Sequence, residues 1–204
     1  MKPLQLPEPD VLKKRWQSFA MLDAILSPEW ELRYFSFDAH WGEGEMLGSM
    51  RDGEGSAMRC LFTNTGAVLS GFDVKQMKHA QVLKAKHLPQ TLAVFAAEPA
   101  FDNQHTSFCF FAEKGTPDWS TALHSIGSDG HNEMLTLAGM DANAYVAWAL
   151  EYYEAVVPVD AAARIFAAEP LTAEIVHAIN AEVVLRDVRN EAKEIGYEVA
   201  TKSV

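Results

Sequence analysis

The sequence predicts an α+β fold, built from an N-terminal helix, a largely antiparallel β-sheet and a C-terminal helical part packed on it. Three observations carry this. Apolar residues recur at helical spacing between Asp10 and Ser27, short aromatic and apolar runs broken by turn formers fill residues 30–115, and helical periodicity returns after Asp141 and lasts to about residue 196. Strands first and helices second is the order of an α+β chain rather than of alternating βα units. No internal repeat, low-complexity run or Ser/Gly-rich linker divides the chain. Residues 1–204 therefore read as a single domain, strand-rich over about 30–115 and helix-rich over about 141–196.

In the first helix Leu12, Trp16, Phe19, Leu22 and Ile25 or Leu26 form one apolar stripe, Asp10 is placed to cap the start, and Pro28 blocks continuation. "WELRYFSF", Trp30 to Phe37, then alternates polar with aromatic residues as a half-covered strand does. "EMLGSMR", "AMRCLFTN" and "AVLSGFD" follow, separated by the turn formers "DGEGS" and "NTG", which predicts an antiparallel meander. The lysines of "KQMKHAQVLKAKH", Lys75 to His87, fall at helical spacing and read as a solvated helix face. "HLPQTLAVFAAEPAF" holds a short helix stopped near Pro99, and "TSFCFFAEKG" is a late strand ending at Gly115. Residues 116–130 show no sustained period and read as an irregular loop with a short strand near 122–126. Beyond it Asp141 caps a helix with Tyr145, Trp148, Ala149, Tyr152 and Val156 on one buried stripe, closed by Pro158. "VDAAARIFAAEP" and "LTAEIVHAIN", the latter starting at Thr172, are shorter helices. In the last one, "VLRDVRNEAKEIGY", Leu185, Val188, Ala192 and Ile195 share a face and Gly196 serves as the C-terminal cap.

Of 204 residues, 49% are hydrophobic and 22% charged, which suits a globular chain with a substantial core. "MKPLQLPEPD" lacks the basic-then-apolar pattern of an export signal, and no apolar run approaches the roughly 20 residues of a membrane span. A cytoplasmic location without membrane association is the expectation. Cys60 and Cys109 sit far apart in apolar, strand-like runs, which predicts free buried thiols rather than a redox pair. The formal net charge of −11, from 28 acidic and 17 basic residues, argues against nucleic-acid binding and favours encounter with a basic protein.

"WGEGEMLGSMRDGEG", residues 41–55, has the glycine density of a ligand-binding loop. Yet Gly42, Gly44 and Gly48 make G-x-G-x-x-x-G, one residue off the dinucleotide fingerprint, and a turn former rather than a helix follows. No Gly-Lys-Ser or Gly-Lys-Thr occurs. The stretch reads as a strand flanked by two turns. Glu43 and Glu45 project on one face and could join Asp52 or Glu54 around a divalent ion. The seven histidines, however, are scattered without H-E-x-x-H or paired-Cys spacing, and "SDGHNE" (128–133) lacks the acidic repeat of a calcium loop. No metal and no cofactor are expected. G-x-S-x-G is absent and neither cysteine opens a helix, so no catalytic residue is expected either.

"RYFSFDAHWGEGEMLGSMRDGEG", then "GAVLSGFD", "EPAF", "TSFCFF", "EYYE" and "PLTAEIVHAIN…EIGY", resembles a family of uncharacterised bacterial cytoplasmic proteins of about this length. The resemblance runs over nearly the whole chain. Such proteins are associated with the immunity partners of bacterial polymorphic toxins, small acidic α+β proteins that neutralise a cognate toxin by binding it. One departure stands out. The family pattern after "GFD" continues with His and Glu, whereas Val74 and Lys75 follow Asp73 here, so a function carried by that pair is lost.

The expectation is therefore a non-enzymatic cytoplasmic protein-binding protein, with toxin neutralisation as the role the resemblance implies. Its acidic and aromatic surface, built around Trp41, Glu43, Glu45, Arg51, Asp52 and Glu54, would meet a protein partner with a basic surface, a toxin domain being one such partner. The alternative is a small-molecule hydrolase or transferase with a pocket between the sheet and the C-terminal helices, lidded by "PDWSTALHSIGSDGH". A pocket lined by convergent ionisable groups would favour the enzyme. A shallow acidic face with exposed aromatics would favour the binder.

Overall fold

The computed structural model describes residues 6–124 and 130–200. Helix α1, Pro9–Leu26, opens on a proline whose missing N–H would have had no partner in the first turn. Leu12, Trp16, Phe19, Leu22 and Ile25 are all buried, as their spacing predicts. Asp10 is not the cap. The helix begins one residue earlier, after Glu8, and Asp10 lies inside the first turn, accepting a hydrogen bond from Lys13 at 3.3 Å.

The expected strand from Trp30 to Phe37 is corrected: Trp30–Leu32 form one 3-10 turn and the strand starts at Phe35. The cause is Arg33, whose buried guanidinium holds the chain that leaves α1. It donates to the carbonyls of Ser27 (2.8 Å) and Pro28 (2.9 Å) and pairs with Glu191 at 2.5 Å.

Strands β1 (Phe35–Gly42), β2 (Glu45–Arg51), β3 (Ala57–Thr63), β4 (Gly66–Phe72), β5 (Phe108–Glu113) and β6 (Ser120–His124) form one sheet in that order, every neighbouring pair antiparallel. The stretch 41–55 is thus β2 between two turns. Period-two alternation divides the sheet into two faces. Phe35, Phe37, Met50, Met58, Cys60, Phe62, Leu69 and Phe108 join the cluster that holds α1 and the C-terminal helices. Leu47, Leu61, Val68, Cys109 and Leu123 face the other way, against Leu83, Leu88, Leu92, Phe95 and Phe101.

Those last five residues belong to the β4–β5 connection, which crosses the second face and contains the short helix α2, Val94–Ala97. Its first part is not the helix that the lysine spacing predicts. Two 3-10 turns, Val74–His79 and Ala85–His87, flank a stretch in which Gln81 and Thr106 exchange backbone hydrogen bonds at 2.9 and 2.8 Å. That pairing holds the backbone extended and lets Leu83 reach the core. Lys75, Lys78, Lys84 and Lys86 remain solvated, as expected.

Among the described residues five helices follow the sheet: α3 (Gly130–Ala138), α4 (Ala142–Tyr152), α5 (Val159–Phe166), α6 (Ala173–Ile179) and α7 (Leu185–Ile195). Asp141 caps α4 by accepting from the N–H of Ala144 at 2.9 Å, and Thr172 caps α6 by accepting from Ile175 at 3.3 Å. Gly196, at φ +72, closes α7, whose Val188, Ala192 and Ile195 are buried. Val156 does not continue the α4 stripe. The helix stops at Tyr152, Glu154 turns the chain at φ +54, and Val156 is 81% exposed. Helix α3 falls where no helix was expected. The strand expected near 122–126 runs over Ser120–His124, and 125–129 lie outside the described residues, as does that part of the expected lid and of the 128–133 stretch. Among the described residues no helix is long and apolar enough to cross a membrane.

Cys60 faces α1 while Cys109 faces the β4–β5 connection, with β4 between their strands. Two strand spacings, about 10 Å, exceed the reach of a disulfide, about 7 Å. Both thiols are free, and burial raises both, Cys109 to about 12. Iodoacetamide at about pH 8 is expected to leave the native protein unlabelled while alkylating both thiols of the unfolded chain. Rapid labelling of the folded protein would show that one thiol is reachable.

Candidate functional site

Strand β2 separates the six residues singled out in the sequence. Trp41, Glu43 and Glu45 lie at its β1 end and Arg51, Asp52 and Glu54 at its β3 end. Six residue steps of strand put these groups about 20 Å apart, too far to share one ion. Among the described residues no cluster of three His, Cys, Asp or Glu could hold a metal.

A register slip in β1 between Asp38 and Gly42 brings Trp41 to the second face of the sheet, although Phe37 and Ala39 face α1. There its ring stacks on Phe101, with centroids 5.8 Å apart. Glu43 is exposed in the β1–β2 turn, and Glu45 folds its carboxylate against Gly42. At the opposite end the Arg51 guanidinium lies 3.9 Å over the ring of Trp30 and donates to its carbonyl at 3.1 Å. Asp52 organises the β2–β3 turn, Oδ1 accepting from the N–H groups of Glu54 (2.8 Å) and Ser56 (2.9 Å), which leaves Glu54 exposed at the tip.

This second end carries an exposed aromatic group that sequence reasoning did not assemble. Trp30 is 47% and Tyr152 40% exposed, and Leu32, in the same 3-10 turn as Trp30, is 60% exposed. Tyr152 rests on Tyr34 (4.9 Å) and Trp148 (5.1 Å), the latter stacked nearly parallel. Partial burial, followed by the charges of Asp23 and Asp52, raises its hydroxyl pKa, while Arg51 acts in the opposite sense. Arg51, over Trp30, also donates its backbone N–H to the carbonyl of Tyr34 at 2.8 Å, the residue on which Tyr152 rests, and so links the two rings. Chain adjacency surrounds the group with carboxylates: Glu29 and Glu31 flank Trp30, Glu54 follows Asp52, and Glu151 precedes Tyr152, all four exposed. Strand alternation cannot reveal Trp30, because the 3-10 turn that turns it outward depends on Arg33 and Glu191, far apart in sequence.

The displaced protonation equilibria lie elsewhere. Asp23, fully buried on α1, accepts from Tyr145 Oη (2.5 Å), Tyr153 Oη (2.7 Å) and the Phe35 N–H (2.7 Å), and Tyr153 Oη in turn accepts from the Tyr34 N–H at 3.0 Å. Burial raises the Asp23 pKa to about 6 against the opposing pull of these donors, and raises both tyrosines. This network ties α1 to β1 and α4. Its carboxylate is sealed from solvent and can serve no outside substrate.

Surface hollows lie along the N-terminal side of α1. One of about 730 Å³ runs between Val11 and Arg15 of α1, Phe110 and Thr121 of the sheet, and Leu135 of α3; another of about 390 Å³ lies between Asp10 and the β3–β4 turn. Arg15 in the first donates to the carbonyl of Gly139 at 2.5 Å. Neither hollow is lined by Asp23, Tyr34, Tyr145, Tyr153, Tyr197, Cys60 or Cys109, groups whose proton affinity burial displaces. Compared with family models, curated proteins and solved structures, the chain finds no match.

Proposed function

We propose that the protein is a non-catalytic, cytoplasmic binder of another protein, and that it docks through the acidic aromatic end formed by Trp30, Arg51, Asp52, Glu54 and Tyr152. The observation that carries this reading is the pairing of two exposed aromatic rings with a rim of carboxylates. Large rings on rigid supports are the residues that dominate binding energy in protein interfaces, and the rim selects a basic partner. The support here is rigid: Arg33 fixes the Trp30 turn and the aromatic packing of Tyr34 and Trp148 fixes Tyr152. A net charge of −11 adds long-range attraction toward a basic surface. A toxin domain neutralised by this contact is the partner that the resemblance implies. The separation of Glu43 and Glu45 from this end moves them out of the interface.

Retention of partners from the source cell on immobilised protein tests the reading. Trp30→Ala and Tyr152→Ala are each expected to weaken the captured complex by about 30-fold, and the two together by about 1,000-fold, since each interface ring contributes on the order of 2 kcal/mol. Glu29→Lys, Glu31→Lys and Glu54→Lys together should slow association by about tenfold at low ionic strength and leave the melting temperature nearly unchanged. If the aromatic double variant retains the same proteins as wild type with the same affinity, the docking end is wrong. Loss of the complex on reversing Glu43 and Glu45 instead would place the interface at the other end of β2.

A further inference from the structure

The β4–β5 connection leaves part of the second face open, where Ser36, Ser49, Arg51 and Arg59 are only partly covered. Arg59, in the middle of β3, stands opposite Ser49 on β2 and Ser70 on β4. Ser49 Oγ and Ser36 Oγ lie 2.7 Å apart, so hydroxyls from two strands extend the row toward the sheet edge. The Arg59 guanidinium sits 5.7 Å from the ring of Phe101, which is itself stacked on Trp41. Among the described residues it donates no hydrogen bond to any protein group. Asp102, which lines the same small hollow as Arg59, uses Oδ2 on His105 Nδ1 (2.9 Å) and Oδ1 on the Gln104 N–H (3.2 Å), and so is held to its own loop.

We infer that Arg59 is a receptor for a carboxylate carried on an extended acidic peptide segment laid across the open strands β1–β3. A guanidinium offers five donors in a planar fork matched to a carboxylate, and among the described residues none accepts from Arg59. Ser49 and Ser36 continue the same cross-strand row from Arg59 toward the edge strand, so a segment laid along that row meets hydroxyls next. Burial lowers the proton affinity of Arg59, with Arg51 acting in the same sense and Asp102 opposing, so an incoming anion relieves a charge that the fold leaves poorly solvated. The neighbouring Asp102 limits the anion to a single charge, which selects a carboxylate over a phosphate dianion. The hollow beside Arg59 holds about 10 Å³, room for about one water and too little for a side chain, so the ligand must lie over the face rather than inside it. An extended peptide meets that shape. The inference goes beyond the docking of a basic partner and does not rest on it.

The Arg59 Nε–H resonance of ¹⁵N-labelled full-length protein, assigned by its loss in Arg59→Lys, reads the site directly. The probes are a blocked pentapeptide with a central Glu, the same peptide with Gln, sodium acetate and inorganic phosphate. The Glu peptide is expected to shift the resonance saturably and to bind at least about tenfold more tightly than the Gln peptide or acetate. Arg59→Lys should retain the melting temperature and weaken the Glu peptide, because an ammonium keeps the charge and loses the fork; Arg59→Gln should abolish binding. An unmoved resonance, or equal affinity for the Glu and Gln peptides, overturns the proposal. Acetate binding as tightly as the peptide overturns the assignment to a peptide, and phosphate binding more tightly than either overturns the carboxylate.

Discussion

Gly48→Ala is expected to lower stability by about 3 kcal/mol, a loss at the upper end of what overpacking a core produces. The added methyl group would lie 1.7 Å from Cε3 and 2.6 Å from Cζ3 of Trp16, whose ring is buried across the middle of β2. No rotation of alanine avoids the ring, and Phe62, edge-on at 6.5 Å, limits how far the ring can retreat. At about 2–4 °C per kcal/mol for a chain of this size, the melting temperature should fall by about 10 °C. Gly53→Ala is the contrasting variant. Nothing lies within 4 Å of the added atom there, but φ is +75, so only backbone strain of about 1–2 kcal/mol is expected. Trp16→Leu should partly rescue Gly48→Ala, because it removes the obstructing ring, and among the described residues the indole Nε1 has no hydrogen-bond partner to lose. A Gly48→Ala protein that melts within about 1 °C of wild type would show that the ring moves freely and that β2 does not need its glycine for packing.

The same glycine shows how far the sequence could be read. Periodicity located α1, the meander and the C-terminal helices because each buries a stripe whose spacing is set by its own backbone geometry. It also identified residues 41–55 as a strand between turns. It could not show that Gly48 exists to receive Trp16, a contact across sequence-distant elements. Failures elsewhere have the same origin. The lysine run 75–87 keeps helical spacing, but Gln81 and Thr106 pair and hold the chain extended. Trp41 shares parity with Phe37, yet a register slip in β1 sends it to the opposite face, beside Phe101. Of the expected site, Arg51, Asp52 and Glu54 fall in the candidate docking end. Trp30 and Tyr152, its largest residues, were assigned to a strand and to a buried stripe because tertiary packing, not spacing, exposes them. Asp23 did leave a signal. It continues the buried stripe of Trp16 and Phe19, and an acid at such a position requires buried donors.

That requirement sets the last prediction. Asp23→Ala should destabilise the protein by about 3–5 kcal/mol, because the hydroxyls of Tyr145 and Tyr153 and the N–H of Phe35 lose their acceptor inside the core. Asp23→Asn keeps an acceptor oxygen and removes the charge, so it separates hydrogen bonding from ionisation. Folding raises the Asp23 pKa from the ordinary 3.8 to about 6, and the folded state therefore holds this proton more tightly than the unfolded one. The associated stability is fully present below about pH 3.8 and is lost as pH rises through about 6, by about 3 kcal/mol in all. Other carboxylates contribute their own pH dependence, so the informative quantity is the difference between wild type and Asp23→Asn in denaturant unfolding. Asp23→Asn should gain on wild type by about 3 kcal/mol between pH 3 and pH 7.5 and hold that gain above it. Parallel stability curves for the two proteins would mean that Asp23 ionises no differently in the folded and unfolded chains. Its donors would then stabilise the charge as well as water does, and the tie between α1, β1 and α4 would be an ordinary carboxylate network rather than one that opposes its own ionisation.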